Sequence, residues 1–131
     1  LVRLAPGPAE IVDHVPTGRL GLDGSRLIRI DGMALRPRKQ LIFNGAATVT
    51  IVADSKGRLL AEPRISVHGF PDGDDLAGIV EEARQAVASA LGTGRLGDDD
   101  SVRQTASQAL RRAFKAALGK RPVTEVQIIR V

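Results

Sequence analysis

The chain has no cysteine, tryptophan or tyrosine, one methionine (Met33) and three phenylalanines, Phe43, Phe70 and Phe114. The missing cysteine removes disulfides, thiolate metal sites and a cysteine nucleophile, a usage that fits the cytoplasm. An aromatic content of 2% removes the stacking platforms on which single-strand binders lay bases. Any contact with a polyanion would therefore run mainly through phosphates. No apolar run approaches the ~20 residues of a membrane-spanning helix, and no secretory leader is visible, so no membrane partner is expected. The chain opens on Leu1 and carries no earlier methionine than Met33. It reads as a piece of something longer.

What is present suits one folded domain. A chain of 131 residues with 43% hydrophobic content can bury roughly two-thirds of its unfolded surface on folding. Nineteen Lys and Arg against fifteen Asp and Glu leave a net charge of +4, a modest lean toward anionic partners. Turn signals crowd residues 1–43: Pro6-Gly7-Pro8, Pro16-Thr17-Gly18, Asp23-Gly24 and Asp31-Gly32 separate short apolar stretches such as Glu10-Ile11-Val12 and Arg19-Leu20-Gly21-Leu22. These pieces are too short to build a core unaided. They read as a linker with short strands, closed by a short helix from near Leu35, where Pro37 is tolerated in the first turn.

From residue 44 the periodicities sharpen. "AATVTIVA" alternates, with Ala47, Val49 and Ile51 on one face and Thr48, Thr50 and Val52 on the other. Asp54-Ser55-Lys56-Gly57 turns the chain, and "RLLAEPRISVHG" returns as a second strand, with an outer edge or a bulge at Pro63. Leu76, Ile79, Val80, Ala83, Val87, Ala90 and Leu91 form one stripe of a helix led by Asp72, Asp74 and Asp75, which Gly92 ends in a left-handed cap. A second stripe runs through Val102, Ala106, Ala109, Leu110, Ala113, Phe114, Ala117 and Leu118. Ser101 and Gln104 match a capping box there, and Gly119 with Pro122 terminates it. "VTEVQIIRV" then alternates again, Val126 and Ile128 against Ile129 and Val131. The expected fold is α+β: a three-stranded sheet in the order ββααβ with both helices packed on one face. Its other face stays uncovered, a feature that often marks a protein partner.

Catalytic signals are missing. Ser25, Ser55, Ser66, Ser89, Ser101 and Ser107 include no Gly-x-Ser-x-Gly elbow, and Gly92-Thr93-Gly94 follows a helix rather than a strand. The acidic runs Asp72-Gly73-Asp74-Asp75 and Asp98-Asp99-Asp100 lack the closing glutamate of a calcium loop and read as helix starts. His14 and His68 stand far apart with no local ligand pattern. Three or four placed ligands are needed for zinc.

The order "VPTGRLGLDG", "LRPRKQLIFNGAATVTIVADSKGRLL", "ISVHGF", "IVEEARQAV" and "ALRRAFKAALGKRPVTEVQIIRV" resembles the C-terminal region of bacterial ribonuclease J, of the metallo-β-lactamase/β-CASP family. The most specific parts are Val15-Pro16-x-Gly18-Arg19 with Asp23-Gly24, and Lys120-Arg121-Pro122 before the last strand. The resemblance implies that residues 1–43 are a linker and the tail of the catalytic core, and that residues 44–131 are a small C-terminal domain used in subunit assembly. It implies a cytoplasmic parent, a homodimer or homotetramer, that degrades RNA from the 5′ end and cuts it internally with zinc in the core. The family's His-x-His-x-Asp-His motif does not occur in this sequence. No catalytic, cofactor or metal residue is therefore carried over, and the chain itself is expected not to be an enzyme.

Two basic groups remain as candidates for RNA contact. Arg36, Arg38 and Lys39 lie in the linker, either solvated or guiding RNA toward the core. Arg103, Arg111 and Lys115, with Arg112 beside them, line the polar side of the second helix, opposite Val102 and Leu110. Such a stripe is either an ordinary solvent face or an accessory phosphate-binding surface.

Overall fold

The computed structural model describes residues 1–4, 6–15, 17–30, 32–33, 35–70 and 75–131. Asp72, Gly73 and Asp74 at the expected helix start, Pro16 of the family signature and Asp31 of the Asp31-Gly32 turn lie outside the described residues. The chain divides into two compact units, Leu1–Pro37 and Arg38–Val131.

The first unit holds two small antiparallel pairs. β1 (Val2–Arg3) pairs with β2 (Glu10–Ile11), and β3 (Leu20–Asp23) with β4 (Arg26–Arg29) around Gly24, whose φ is +60°. None of its described residues is buried, as expected of fragments this short. Leu4, Ile11, Leu22 and Leu27 all stand largely in solvent.

In the second unit, α1 (Leu35–Asn44), which begins at the close of the first, leads through Gly45 into β5 (Ala46–Ala53). β5 is the central strand of a mixed sheet, antiparallel to β6 (Arg64–His68) and parallel to β7 (Val123–Arg130). Between β6 and β7 run α2 (Leu76–Leu91) and α3 (Asp99–Leu118), which carry the chain back so that β7 enters parallel to β5. This is the expected α+β architecture. The inward residues of β5, Ala47, Val49, Ile51 and Ala53, are buried against Ala83 and Val87 of α2 and Val102, Ala106, Leu110 and Phe114 of α3. Ile65 and Val67 of β6 and Val126 and Ile128 of β7 flank them, in register with Val49, Ala47, Val49 and Ile51 respectively. Small residues at Ala83 and Ala106 let the two helices approach closely. The Phe114 ring meets Phe70 with centroids 5.2 Å apart and planes tilted by 45°.

Three local expectations change. The return from β5 is not one continuous strand: Leu59 bridges Ala53, and β6 begins only after the buried Pro63. From Ala53 to Thr50 is three steps, while their partners Leu59 and Arg64 are five steps apart, so two residues bulge out where proline has no N–H to give. The cap of α3 is Asp98 rather than Ser101, and the helix starts at Asp99. Its carboxylate accepts from the Ser101 N–H at 3.0 Å and the Ser101 hydroxyl at 2.8 Å. Those two donors, the backbone first, hold the Asp98 carboxyl below its usual range. Aspartate out-competes serine because an anion also meets the positive end of the helix dipole. Gly92 has φ +71° but ψ −179°, so it leaves α2 in an extended glycine conformation instead of a left-handed cap; Gly119, at φ +67° and ψ 3°, ends α3 in the left-handed form.

Gly45 joins α1 to β5 at φ +71°, and a Cβ there would stand 2.8 Å from the His68 carbonyl oxygen and 2.7 Å from the Phe70 ring. Left-handed backbone and overlap with a strand carbonyl both oppose a side chain, so Gly45→Ala is expected to cost about 2–4 kcal/mol in urea unfolding. A loss below about 1 kcal/mol would show that the junction relaxes freely.

Arg84 of α2 joins Glu81 to Glu62 on the β5–β6 connection. The guanidinium hydrogen bonds, followed by that of Gln85, lower the Glu81 carboxyl from 4.5 to about 2. A depressed carboxylate stabilises the fold above its unfolded pKa and loses that contribution as pH falls through the folded one. The melting temperature should therefore drop between about pH 4.5 and 2, and more shallowly in Glu81→Gln. Identical slopes in the two proteins would remove this pair from the acid response.

Candidate functional site

The second unit holds an open cleft of about 730 Å³ where α1, the C-terminal half of α3 and the entry to β7 converge. Residues 108, 111, 112 and 115 fall at steps of three and four, which brings Gln108, Arg111, Arg112 and Lys115 onto one side of α3. Leu110 and Phe114 turn instead into the buried core. Gln40 and Asn44 of α1 form the facing wall.

The third wall depends on how α3 ends. Gly119 turns the chain, and the fully buried Pro122 anchors it. The Val123 N–H donates to the Gly45 carbonyl at 3.0 Å, and the Thr124 hydroxyl donates to the Pro122 carbonyl at 3.1 Å. Arg121 is thereby held at the cleft beside Lys115 of the last helical turn.

The electrostatics are one-sided. Four cations line the cleft, and its described lining contains no carboxylate. Among the described residues none of the four is joined to an acid. The carbonyl ends of α1 and α3 also face this region, but each amounts to only about half a negative charge. The four cations outweigh them. The same lining has no imidazole, hydroxyl or carboxylate to carry a proton or attack a bond. Its chemistry is that of binding: guanidinium forks and an ammonium for anionic oxygens, and three primary amides that both donate and accept.

The sequence candidates separate in space. Arg111, Arg112 and Lys115 come together in the cleft. Arg103 does not: it pairs with Asp100 at 3.2 Å and lies 3.9 Å from Asp99, roughly 18 Å along the helix from Lys115 at 1.5 Å per residue. Arg38 and Lys39 sit on α1 outside the lining, and Arg36 belongs to the first unit. Sequence reasoning missed Arg121, Gln40 and Asn44 as site residues. Arg121 stood in the Lys120-Arg121-Pro122 signature, yet nothing in spacing alone shows that the chain folds back beside α3.

Elsewhere, Asp99 receives Arg130 of β7 at 2.8 Å, and Arg130 also donates to the Gly97 carbonyl at 2.8 Å. The acidic run before α3 is thus taken up by capping and ion pairs. His14 and His68 are exposed. Among the described residues no group of three or more His, Asp or Glu is placed to hold a metal ion, and no helix is long and apolar enough to cross a membrane.

The ribonuclease J C-terminal domain family model matches residues 33–131. A ribonuclease J of Sinorhizobium meliloti is 30% identical over 135 residues, covering 100% of this chain and 24% of that protein. A ribonuclease J of Corynebacterium glutamicum is 32% identical over 114 residues, covering 86% of this chain and 15% of that protein. The chain thus spans about a quarter or less of the length of these relatives.

Proposed function

The chain belongs to the ribonuclease J C-terminal domain family, and from that premise we propose that it is the non-catalytic assembly module of a ribonuclease J-like, RNA-degrading enzyme. The parent would be a cytoplasmic homodimer or homotetramer acting on RNA from the 5′ end and internally, with zinc held in a core outside this chain. Residues 1–43 would be the linker and tail of that core, and residues 44–131 the module itself.

The observation that carries the assembly role is the open side of the sheet. β7 is an eight-residue edge strand that pairs only with β5 among the described residues. Unprotected edges of this length invite a further strand. Near its end the outer face carries an apolar row: Ile129, 47% exposed, lies beside Val52, which accepts at its carbonyl from the N–H of Leu60, 55% exposed. Val131 extends the row and is 68% exposed. The solvent-facing Leu4, Ile11, Leu22 and Leu27 of the first unit likewise support packing against residues outside this chain.

Sedimentation over a range of concentrations tests the reading. The 131-residue chain is expected to self-associate, and Ile129→Lys, on the uncovered face, to shift it to monomer with an unchanged circular dichroism spectrum. A wild-type chain that stays monomeric up to about 100 μM, well above the micromolar range of weak specific complexes, would overturn it.

A further inference from the structure

We propose that the cleft between α1, α3 and the start of β7 binds the sugar–phosphate backbone of single-stranded RNA. The site is distinct from the apolar row: Val123 lies in the cleft and Ile129 in the row, six residues apart on β7, or about 20 Å at 3.3 Å per residue.

Charge, lining chemistry and size together select the ligand. Arg111, Arg112, Lys115 and Arg121 converge without a carboxylate in the described lining, so the cleft presents about four uncompensated positive charges to an anion. Three of them are guanidinium groups, whose planar forks fit phosphate oxygens in pairs. The amides of Gln40, Asn44 and Gln108 both donate and accept, as a ribose 2′-hydroxyl does. An acidic peptide would need apolar anchor pockets, and the described lining supplies only Pro122, fully buried, and Val123. The described lining holds no aromatic side chain, so bases have nothing to stack on and recognition should be nearly indifferent to sequence. The volume of about 730 Å³ sits within the roughly 300–1,000 Å³ of ordinary ligand clefts, enough for a short backbone segment that continues out of both ends.

Fluorescence anisotropy with a labelled twelve-nucleotide oligouridylate and the full 131-residue chain tests this. With about four phosphates neutralised, log K should fall with log salt at a slope near −3, making binding about fifty-fold weaker at 200 mM than at 50 mM salt. Arg111→Gln with Arg112→Gln, and separately Lys115→Gln with Arg121→Gln, should each reduce the slope by about 1.4. All four changes together should abolish binding, while Arg103→Ala leaves it unchanged. Self-association by sedimentation should be the same in every variant, which separates failure of this site from failure of the assembly reading. Absence of binding at 50 mM salt would overturn the proposal. So would slopes unaltered in both double variants, or displacement by polyglutamate at the same charge concentration as by unlabelled RNA.

Discussion

A chain ended after Pro122 is expected not to fold. β7 supplies every parallel pairing of β5, from Ala46 with Val123 to Ala53 with Arg130, and β5 is the strand whose alternate residues are completely buried. Each ladder hydrogen bond contributes about 0.5–1.5 kcal/mol net, and a buried N–H or carbonyl left without a partner costs about 1–3 kcal/mol. Val126 and Ile128 leave the core with the strand, at up to about 1.5–3 kcal/mol apiece if fully buried. Summed over eight paired positions, the loss reaches the ~5–15 kcal/mol that holds an ordinary domain together. Arg130 also fastens the start of α3 through Asp99 and Gly97. Circular dichroism of the shortened chain should show no cooperative thermal transition, and its helix amides should exchange without protection. A sharp transition near that of the intact chain would mean that α2 and α3 form a core without the last strand.

Phe114→Ala should be the most damaging single substitution in the core. Phe114 is 0% exposed and heads the fully buried side chains by volume. It sits one turn from the end of α3, within the buried core and against the ring of Phe70. Removing a buried phenyl ring costs about 3–5 kcal/mol through lost transfer energy and the cavity left behind, to which the tilted ring pair adds about 0.5–1.5 kcal/mol. At about 4–8 °C per kcal/mol for a domain of this size, the melting temperature should fall by roughly 14–50 °C. Phe114→Leu, which keeps most of the volume, should cost well under half as much. A loss below about 1.5 kcal/mol for the alanine variant would show that Phe70 and Leu110 collapse into the space. Since Phe114 is buried and takes no part in the cleft lining, a folded fraction of either variant should keep the same salt slope for RNA.

The helices and the central strand were legible because their periods are strong and local. Val102, Ala106, Leu110 and Phe114 recur at four-residue steps and all four are buried; Ala47, Val49 and Ile51 alternate and all three are buried. Such patterns depend only on backbone geometry, which short-range sterics impose. The errors lie where two local solutions compete. Asp98 and Ser101 both suit a cap, and the dipole's preference for an anion decided between them. At Pro63, by contrast, the expected edge or bulge is present in both forms: β6 is an edge strand with two extra residues before it.

By itself the sequence determined the α+β class, the inward faces of β5, α2 and α3, and the basic stripe Arg111, Arg112 and Lys115, because each is a repeat within one element. Only the tertiary structure decided that this stripe is one wall of a cleft, that Arg121, Gln40 and Asn44 complete it, and that Arg103 is taken by Asp100. Those pairings join residues distant in the chain or on opposite sides of a turn. Their distances follow from how α3 ends at Gly119, how Pro122 is buried and how Val123 bonds Gly45, and no spacing rule encodes where a chain goes after it leaves its helix.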